Sequence, residues 1–303
     1  MGGWNLRHSV NRITATARLV KFEHTVFALP FALAGGWIAA DGRPPWADLG
    51  LLVLASIFAR TAAMGWNRVV DLPFDALNPR TASRELVTGT LSPGFAKGLV
   101  LACSLGFLGS AFLLSPLCGW LAFPALGILL GYSHLKRFTF LCHAGLGIAL
   151  GLAPAGAWLA VAKDFLPGWV VPLWIGLGCA CWTTGFDLFY SIQDIEVDRR
   201  SGVKSIPARW GAGRSRVMAA GLHIAAVAAF GWAGFEAGFS LPYFLGVGGC
   251  GILLTAEHAL LMGGRIDRIP IAFFKVNSWV GVVFFAGVLA QVQWGNGAGT
   301  LGS

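Results

Sequence analysis

The chain carries little charge for its length. Asp, Glu, Lys and Arg together make up 12% of its 303 residues, whereas hydrophobic residues make up 56%. A soluble domain of ordinary composition has roughly 25% charged residues. This shortage excludes an ordinary soluble globular domain and favours a chain buried in a lipid bilayer.

Cysteine motifs are also missing. The chain has six cysteines but none in a C-x-x-C arrangement or in a Cys/His spacing typical of a metal site. They fall almost entirely inside apolar runs, where cysteine behaves as a small hydrophobic residue. Heptad repeats and low-complexity tracts are absent too, so a coiled coil or a disordered scaffold is excluded. The six are Cys103, Cys118, Cys142, Cys179, Cys181 and Cys250.

Apolar runs long enough to cross a hydrocarbon core of roughly 30 Å are abundant. They predict an all-α polytopic membrane protein with about nine transmembrane helices in a single domain covering residues 1–303. A short N-terminal arm (1–22) precedes them, and a glycine-rich, flexible tail (about 295–303) follows. The arm is basic and has no central apolar stretch, so no cleavable signal is expected. The predicted spans are 24–40, 49–70, 95–114, 117–133, 140–162, 169–193, 215–235, 241–263 and 270–293.

The basic residues are distributed unevenly between the two sides. Eighteen of the 22 lysines and arginines fall on the arm and on alternate loops, whereas the opposite loops hold only Arg43 and Lys163. This asymmetry predicts that the arm and the basic loops are cytoplasmic, in a bacterial inner membrane. The net charge of +8 then indicates anionic lipid and an anionic substrate rather than nucleic acid.

Two acidic clusters end two different spans, the second and the sixth. "NRVVDLPFD" (67–75) places an amide and two carboxylates four residues apart, although Pro73 predicts a kink or a late helix start there. "DLFYSIQDIEVDRRSGVKS" (187–205) repeats the pattern at near-helical spacing. Both spans are expected to end on the same side, so the clusters can face each other across the mouth of one cavity. Any one of these aspartates could equally be an interfacial ion-pair partner, but carboxylates at membrane depth are costly and usually mark a site.

Facing carboxylates repel unless a cation lies between them, and Mg²⁺ prefers carboxylate and phosphate oxygens. The clusters therefore predict Mg²⁺ held for a phosphorylated ligand. Basic residues around both clusters could clamp a diphosphate and neutralise the charge that develops as it leaves. These residues are Arg80, Arg84, Lys136, Arg137, Arg199, Arg200 and Lys204.

These motifs resemble those of the UbiA superfamily of intramembrane aromatic prenyltransferases. "NRVVDLPFDALNPRT" is similar to the family's N-x-x-x-D-x-x-x-D motif, and the second cluster is similar to its D-x-x-x-D motif with the trailing G-V-K-S. "KFEHTVFALPFALAG", "YSHLKRFT" and "GLGIALGLAPAGAWLAV" also resemble the first, fourth and fifth spans of that family. The resemblance covers roughly residues 18–215 and implies a nine-helix fold around a central cavity.

The resemblance also implies roles for individual residues. Asp71, Asp75, Asp194 and Asp198 would hold the diphosphate-bound Mg²⁺, with Asn67 supporting the first site, and Asp187 would help the metal site or the aromatic acceptor. Arg80, Lys136, Arg137 and Lys204 would contact the diphosphate, and Tyr190 and Tyr132 would line the reaction chamber.

The implied activity is Mg²⁺-dependent transfer of a polyprenyl group from an allylic diphosphate to an aromatic quinone precursor, with 4-hydroxybenzoate expected first. A prenyltransferase of the futalosine route to menaquinone is the alternative acceptor class. Another isoprenoid-phosphate enzyme and a secondary transporter also remain open. A transporter would place its carboxylates near the bilayer midplane, whereas here they lie at one rim.

Overall fold

The computed structural model describes residues 12–21, 25–165 and 167–295. Within these ranges the chain is helical, without a β-strand, and nine helices have 15 or more residues. They are α1 (Thr25–Ala39), α2 (Trp46–Asp75), α3 (Pro93–Leu114), α4 (Pro116–Gly131), α5 (Cys142–Ala162), α6 (Val170–Ser191), α7 (Ile206–Glu236), α8 (Leu241–Leu260) and α9 (Asn277–Trp294).

Seven helical spans in the described residues are long and apolar enough to cross a membrane, so the chain is an integral membrane protein. The apolar part of α1, Phe27–Ala39, is shorter than a full span, and α6 is not among the seven. The nine long helices agree with the predicted regions, but the count of nine membrane spans is not confirmed.

The helices pack in chain order. Each helix from α2 to α8 contacts the next one along the chain, and α1 packs mainly against α5 and α9. An aromatic core lies between α1, α6, α7 and α9, where Phe31 stacks on Phe230 and Phe284 with ring centroids 5.5 and 5.2 Å apart. Helices α7 and α9 thus pack against α1 and α6 in this core.

Glycine allows the closest of these approaches. A Cβ added at Gly151 of α5 would lie 2.6 Å from the carbonyl oxygen of Gly176 in α6, and the reciprocal distance is 2.5 Å. Any side chain at either position would force the two backbones apart. This use of small residues is typical of helix packing in membranes, and it fixes α6, which carries Asp187, against α5.

Serine and proline set several helix starts. Ser92, Ser115 and Ser205 each accept a hydrogen bond from the backbone N–H three residues later, and proline occupies one of the first two helical positions that follow. The serine hydroxyl satisfies an N–H that has no partner within the helix, and proline needs none. The Ser205 cap matters for the site, because it begins α7 directly after the second acidic motif.

Buried polar contacts join α6, α7, α8 and α9. The Trp182 indole N–H donates to Asn277 Oδ1 at 2.8 Å, and Asn277 Nδ2 donates to Glu257 Oε1 at 2.9 Å. His258 Nε2 lies 3.0 Å from Nδ1 of His223 in α7. The hydrogen bonds of Glu257 and His258 thus run between helices, as polar groups in membrane bundles commonly do.

The structure corrects one sequence expectation at the first motif. Helix α2 continues through Pro73 and ends at Asp75, so a late helix start is wrong. Of the predicted N-terminal arm, residues 12–19 are helical, and Leu19 packs with Leu86 and Leu91 beside α3. The rest of the arm, apart from residues 20 and 21, and all but the first residue of the predicted tail lie outside the described residues.

Candidate active site

A cavity of about 680 Å³ lies among α1 to α6 and opens at the end of the bundle where both acidic motifs stand. Residues of α2, α6 and the loops after α2, before α5 and before α7 line its polar end. The rest of its wall is mainly apolar, apart from Lys21, Ser56 and Arg60. In the described residues α8 and α9 contribute nothing to the lining. The predicted site residues that line it are Asn67, Asp71, Tyr132, Lys136, Asp187, Tyr190, Asp194 and Asp198.

Asp71 is the most enclosed carboxylate of the first motif, at 6% exposure. Its Oδ2 lies 2.6 Å from Lys136 Nζ and accepts a hydrogen bond from Asn67 Nδ2 at 3.1 Å. Its Oδ1 is buried and has no hydrogen-bond partner among the described residues. A buried anionic oxygen without a partner is costly, and here it is available to a cation.

Asp75 follows one turn later and is held by a different cation. Arg84 Nη1 lies 2.6 Å from both carboxylate oxygens of Asp75, and the Thr81 hydroxyl donates to its backbone carbonyl at 3.0 Å. Asp75 does not reach the cavity lining in the described structure, whereas Arg84 does. The loop after α2 therefore folds back over the helix end and places a guanidinium at the cavity.

The loop after α2 also reaches the second motif. Asn78 Nδ2 and Arg80 Nε donate to Asp194 Oδ1 at 2.8 and 3.0 Å, and Arg80 Nη2 lies 2.5 Å from Oδ2. Arg80 Nη1 donates to the Tyr190 hydroxyl at 2.6 Å. Burial alone would lower the pKa of Arg80, but these bonds to Asp194 raise it overall. The two acidic motifs, more than a hundred residues apart in sequence, thus meet at one mouth.

Asp198 lies on the short helix Ile195–Ser201 and accepts a hydrogen bond from the Ser205 hydroxyl at 2.7 Å. Burial raises the pKa of its carboxyl to about 6, and the neighbouring charge of Asp194 adds to this rise, partly offset by Ser205. A cation between Asp194 and Asp198 would favour the ionised form and lower that pKa.

The sequence interpretation favoured a packing or loop role for His143, the second residue of α5, and gave it no place in the site. The ring is buried, its Nδ1 lies 2.7 Å from Asp187 Oδ2, and its Nε2 accepts the backbone N–H of Ile206 at 3.4 Å. Nδ1 is placed to donate to the Asp187 carboxylate. His143 therefore fixes Asp187 and the start of α7 at the same point. Nothing in the spacing indicated this, because His143 and Asp187 are 44 positions apart.

Three of the predicted diphosphate contacts lie outside the cavity lining: Arg80, Arg137 and Lys204. Arg137 Nη2 donates to the Val70 carbonyl oxygen at 2.6 Å, and Lys204 Nζ donates to the Phe138 carbonyl oxygen at 3.2 Å. Arg137 thus joins the short helix Leu135–Phe138 to α2, and Lys204 joins the loop before α7 to that short helix. Of the predicted cations, Lys136 and Arg84 line the cavity, and their role in diphosphate binding stays a prediction.

No three His, Cys, Asp or Glu side chains in the part of the chain that the structure describes are close enough to form a metal site as they stand. Asp71 is paired instead with Lys136, Asp75 with Arg84, and Asp194 with Arg80. The donor set is all oxygen, as Mg²⁺ requires, and Asp71 Oδ1 offers an open coordination position. The residues present therefore fit a hard divalent cation shared with a phosphorylated ligand.

The cavity has two chemically distinct parts. Carboxylates, arginines and a lysine converge at the mouth, where they suit a cation and a diphosphate. The interior is walled mainly by alanine, leucine and other apolar side chains from α1 to α5, together with Ser56 and Arg60 of α2, which suits a hydrocarbon chain. Such a site can bind an amphipathic diphosphate, stabilise its departure and keep water away from the carbon it leaves.

Comparison with known proteins agrees with this arrangement. The model of the UbiA prenyltransferase family matches residues 28–279. A relative from Saccharophagus degradans named 4-hydroxybenzoate octaprenyltransferase is 34% identical over 288 residues, covering 92% of this chain and 93% of the relative.

Two solved structures share the fold. The apo structure of a UbiA homolog from Aeropyrum pernix K1 has a TM-score of 0.79 and 35% identity, and covers 88% of this chain and 98% of that one. A UbiA homolog from Archaeoglobus fulgidus bound to DMAPP and Mg²⁺ has a TM-score of 0.70 and 18% identity, and covers 92% of this chain and 99% of that one. At that identity the second likeness concerns the fold alone.

Proposed function

The chain belongs to the UbiA prenyltransferase family, and we propose that it transfers a polyprenyl group from an allylic diphosphate to the ring of 4-hydroxybenzoate, releasing diphosphate. One observation carries the proposal: two acidic motifs from separate helices line the polar mouth of a single cavity whose interior is mainly apolar. The name of the 34% identical relative supports the choice of acceptor.

The basic residues at the mouth bind the donor. Lys136 and Arg84 line the cavity beside Asp71, and Arg80 bridges Asp194 and Tyr190. We assign the diphosphate to the space between them. Their charges offset the negative charge that grows on the departing diphosphate, which is where such groups contribute most to the rate.

Mg²⁺ is the cation that we propose for the acidic residues, and the fold relative solved with DMAPP and Mg²⁺ supports this choice. Asp71 and Asp198 would hold it from inside the cavity, with Asp194 and Asp75 joining once their arginines turn to the diphosphate. Asn67 keeps Asp71 oriented through its 3.1 Å hydrogen bond. When bound, Mg²⁺ supplies Lewis-acid stabilisation of the diphosphate oxygens.

The acceptor lies between the mouth and the apolar interior. Departure of diphosphate leaves an allylic cation, and the electron-rich ring forms the new carbon–carbon bond before it loses a proton. We assign the acceptance of that proton to Asp187, which lines the cavity and is held by His143. Tyr190 and Tyr132 line the same region and limit access of water to the cation.

The test is radiolabelled prenyl transfer by the purified protein in lipid. With Mg²⁺, geranyl diphosphate and 4-hydroxybenzoate, we expect prenylated acceptor, and we expect chelation by EDTA to abolish it and added Mg²⁺ to restore it. Product with a menaquinone precursor of the futalosine route, and none with 4-hydroxybenzoate, would reassign the acceptor. Absence of product with both would contradict the proposed activity.

We also propose that the mouth faces the cytoplasm across a bacterial inner membrane, because the loops on its side carry most of the basic residues. Ser83 is exposed in the loop after α2, and Arg43 is exposed in the loop between α1 and α2. In right-side-out vesicles, a membrane-impermeant maleimide should label Arg43→Cys and leave Ser83→Cys unlabelled. The unsubstituted chain corrects for its own six cysteines, and the reverse labelling pattern would overturn this orientation.

A further inference from the structure

An arginine of α7 lies against the loop between α8 and α9, outside the cavity. A Cβ added at Gly264 would lie 3.8 Å from Nη2 and 4.0 Å from Nη1 of Arg216. Gly263 and Gly264 have positive φ angles of 70° and 79°, so glycine allows the loop to turn beside the guanidinium. Arg265 and Arg268 follow on the same loop. We call Arg216, Arg265 and Arg268 the arginine cluster.

The arginine cluster has no acidic partner in the part of the chain that the structure describes. None of its guanidinium groups is within ion-pair distance of a carboxylate, although the exposed Asp267 belongs to the same loop. Nε of Arg216 is buried and has no hydrogen-bond partner among the described residues. A buried N–H donor without an acceptor costs free energy, and here it is available to an anion.

Helix geometry places Arg216 at the edge of the hydrocarbon core. The 20 residues of α7 that follow Arg216 span about 30 Å, which is roughly the thickness of that core. Three large apolar side chains next to arginines of the cluster or on the same loop are exposed: Val217, Met262 and Ile266. Such side chains suit contact with acyl chains, while the arginines can extend to the headgroup region.

We propose that the arginine cluster binds the phosphate of an anionic glycerophospholipid in the leaflet at the mouth, whose acyl chains contact Val217, Met262 and Ile266. A guanidinium matches phosphate oxygens with two parallel hydrogen bonds. The ammonium of a zwitterionic headgroup would be repelled by three arginines. None of the three lines the central cavity, so the lipid site is separate from the proposed active site.

The loop that carries Arg265 and Arg268 also supports the second acidic motif. Leu261 and Ile269 flank the loop and pack in one buried cluster with Ile192 and Ile206. Ile192 precedes Asp194 by two residues, and Ile206 begins α7. Because a ligand that binds only the folded protein stabilises it, the bound lipid should raise the temperature of thermal unfolding.

The experiment titrates delipidated protein in neutral detergent with phosphatidylglycerol or phosphatidylcholine. Native mass spectrometry counts the bound lipids, and thermal unfolding is followed in parallel. We expect phosphatidylglycerol to bind in preference and to raise the unfolding temperature. Arg216→Gln should weaken its Kd roughly 10-fold or more, the effect of losing one charge-assisted hydrogen bond. Arg265→Gln should weaken it in the same direction, and because Arg265 is exposed this variant decides the matter if Arg216→Gln fails to fold.

Arg214→Gln is the matched control, because Arg214 is exposed on α7 two positions before Arg216 and therefore faces another side of the helix. Its Kd for phosphatidylglycerol should stay within about twofold of wild type, since an exposed charge is screened by salt. Equal losses in Arg214→Gln and Arg216→Gln would show only diffuse attraction to anionic lipid and overturn the inference, as would unchanged binding in folded Arg216→Gln and Arg265→Gln. Equal stabilisation by inorganic phosphate without lipid, lost in Arg216→Gln, would assign the cluster to a free anion instead.

Discussion

Asp71→Asn should reduce kcat for prenyl transfer by roughly 10²–10³-fold, the loss typical of removing one group that stabilises transition-state charge. The carboxylate is buried at the mouth, and its Oδ1 has no hydrogen-bond partner among the described residues. The amide has nearly the same shape but cannot neutralise a cation. The apparent affinity for Mg²⁺, measured by titration of activity, should weaken in the same variant.

Asp267→Asn provides the control, because Asp267 is an exposed aspartate between α8 and α9, away from the cavity lining. It should keep wild-type activity and the wild-type Mg²⁺ titration. Thermal unfolding in detergent identifies any loss of Asp71→Asn activity that comes from misfolding. A folded Asp71→Asn protein with activity within threefold of wild type would contradict the assignment of Asp71 to the metal site.

Asp187→Asn should lower kcat by roughly 10²–10⁴-fold, the range expected when a general base is removed. Asp187 lines the cavity, and His143 Nδ1 holds one of its carboxylate oxygens at 2.7 Å. His143 acts through Asp187 and is a positioning residue, so its substitution should lower kcat without raising KM for the diphosphate. Steady-state kinetics with the donor varied at saturating acceptor measures both quantities.

A pair of variants at position 143 separates this role from packing. The side-chain amide of His143→Asn can donate to Asp187 from nearly the position of Nδ1, whereas His143→Leu fills the space without a donor. We expect the asparagine variant to retain most of the kcat and the leucine variant to lose it. Equal losses in two proteins of equal thermal stability would show that the hydrogen bond to Asp187 is unimportant.

The sequence was sufficient to predict the helical membrane fold and the meeting of the two acidic motifs. Their four-residue spacing places carboxylates on one helical face, and the basic loops put both helix ends on one side. The structure brings Arg80 of the first motif to within 3.0 Å of Asp194 of the second. The family match confirms the resemblance drawn from those motifs.

Side-chain contacts across the bundle could not be predicted in the same way. Arg137 and Lys204 were expected at the diphosphate, yet in the structure they donate to the carbonyls of Val70 and Phe138. His143 reaches Asp187 only because the glycines of α5 and α6 allow their backbones to approach closely. Such contacts depend on how helices pack, and hydrophobic spacing within one helix carries no information about its neighbour.

The most direct test of the proposed prenyl transfer quantifies both products of one reaction. Wild-type protein in lipid receives octaprenyl diphosphate, 4-hydroxybenzoate and Mg²⁺, and mass spectrometry quantifies prenylated acceptor while a coupled assay quantifies diphosphate. We expect equal amounts of the two, both reduced roughly 10²-fold or more in Asp71→Asn. Diphosphate without prenylated acceptor, or no diphosphate at all with either acceptor class, would contradict it.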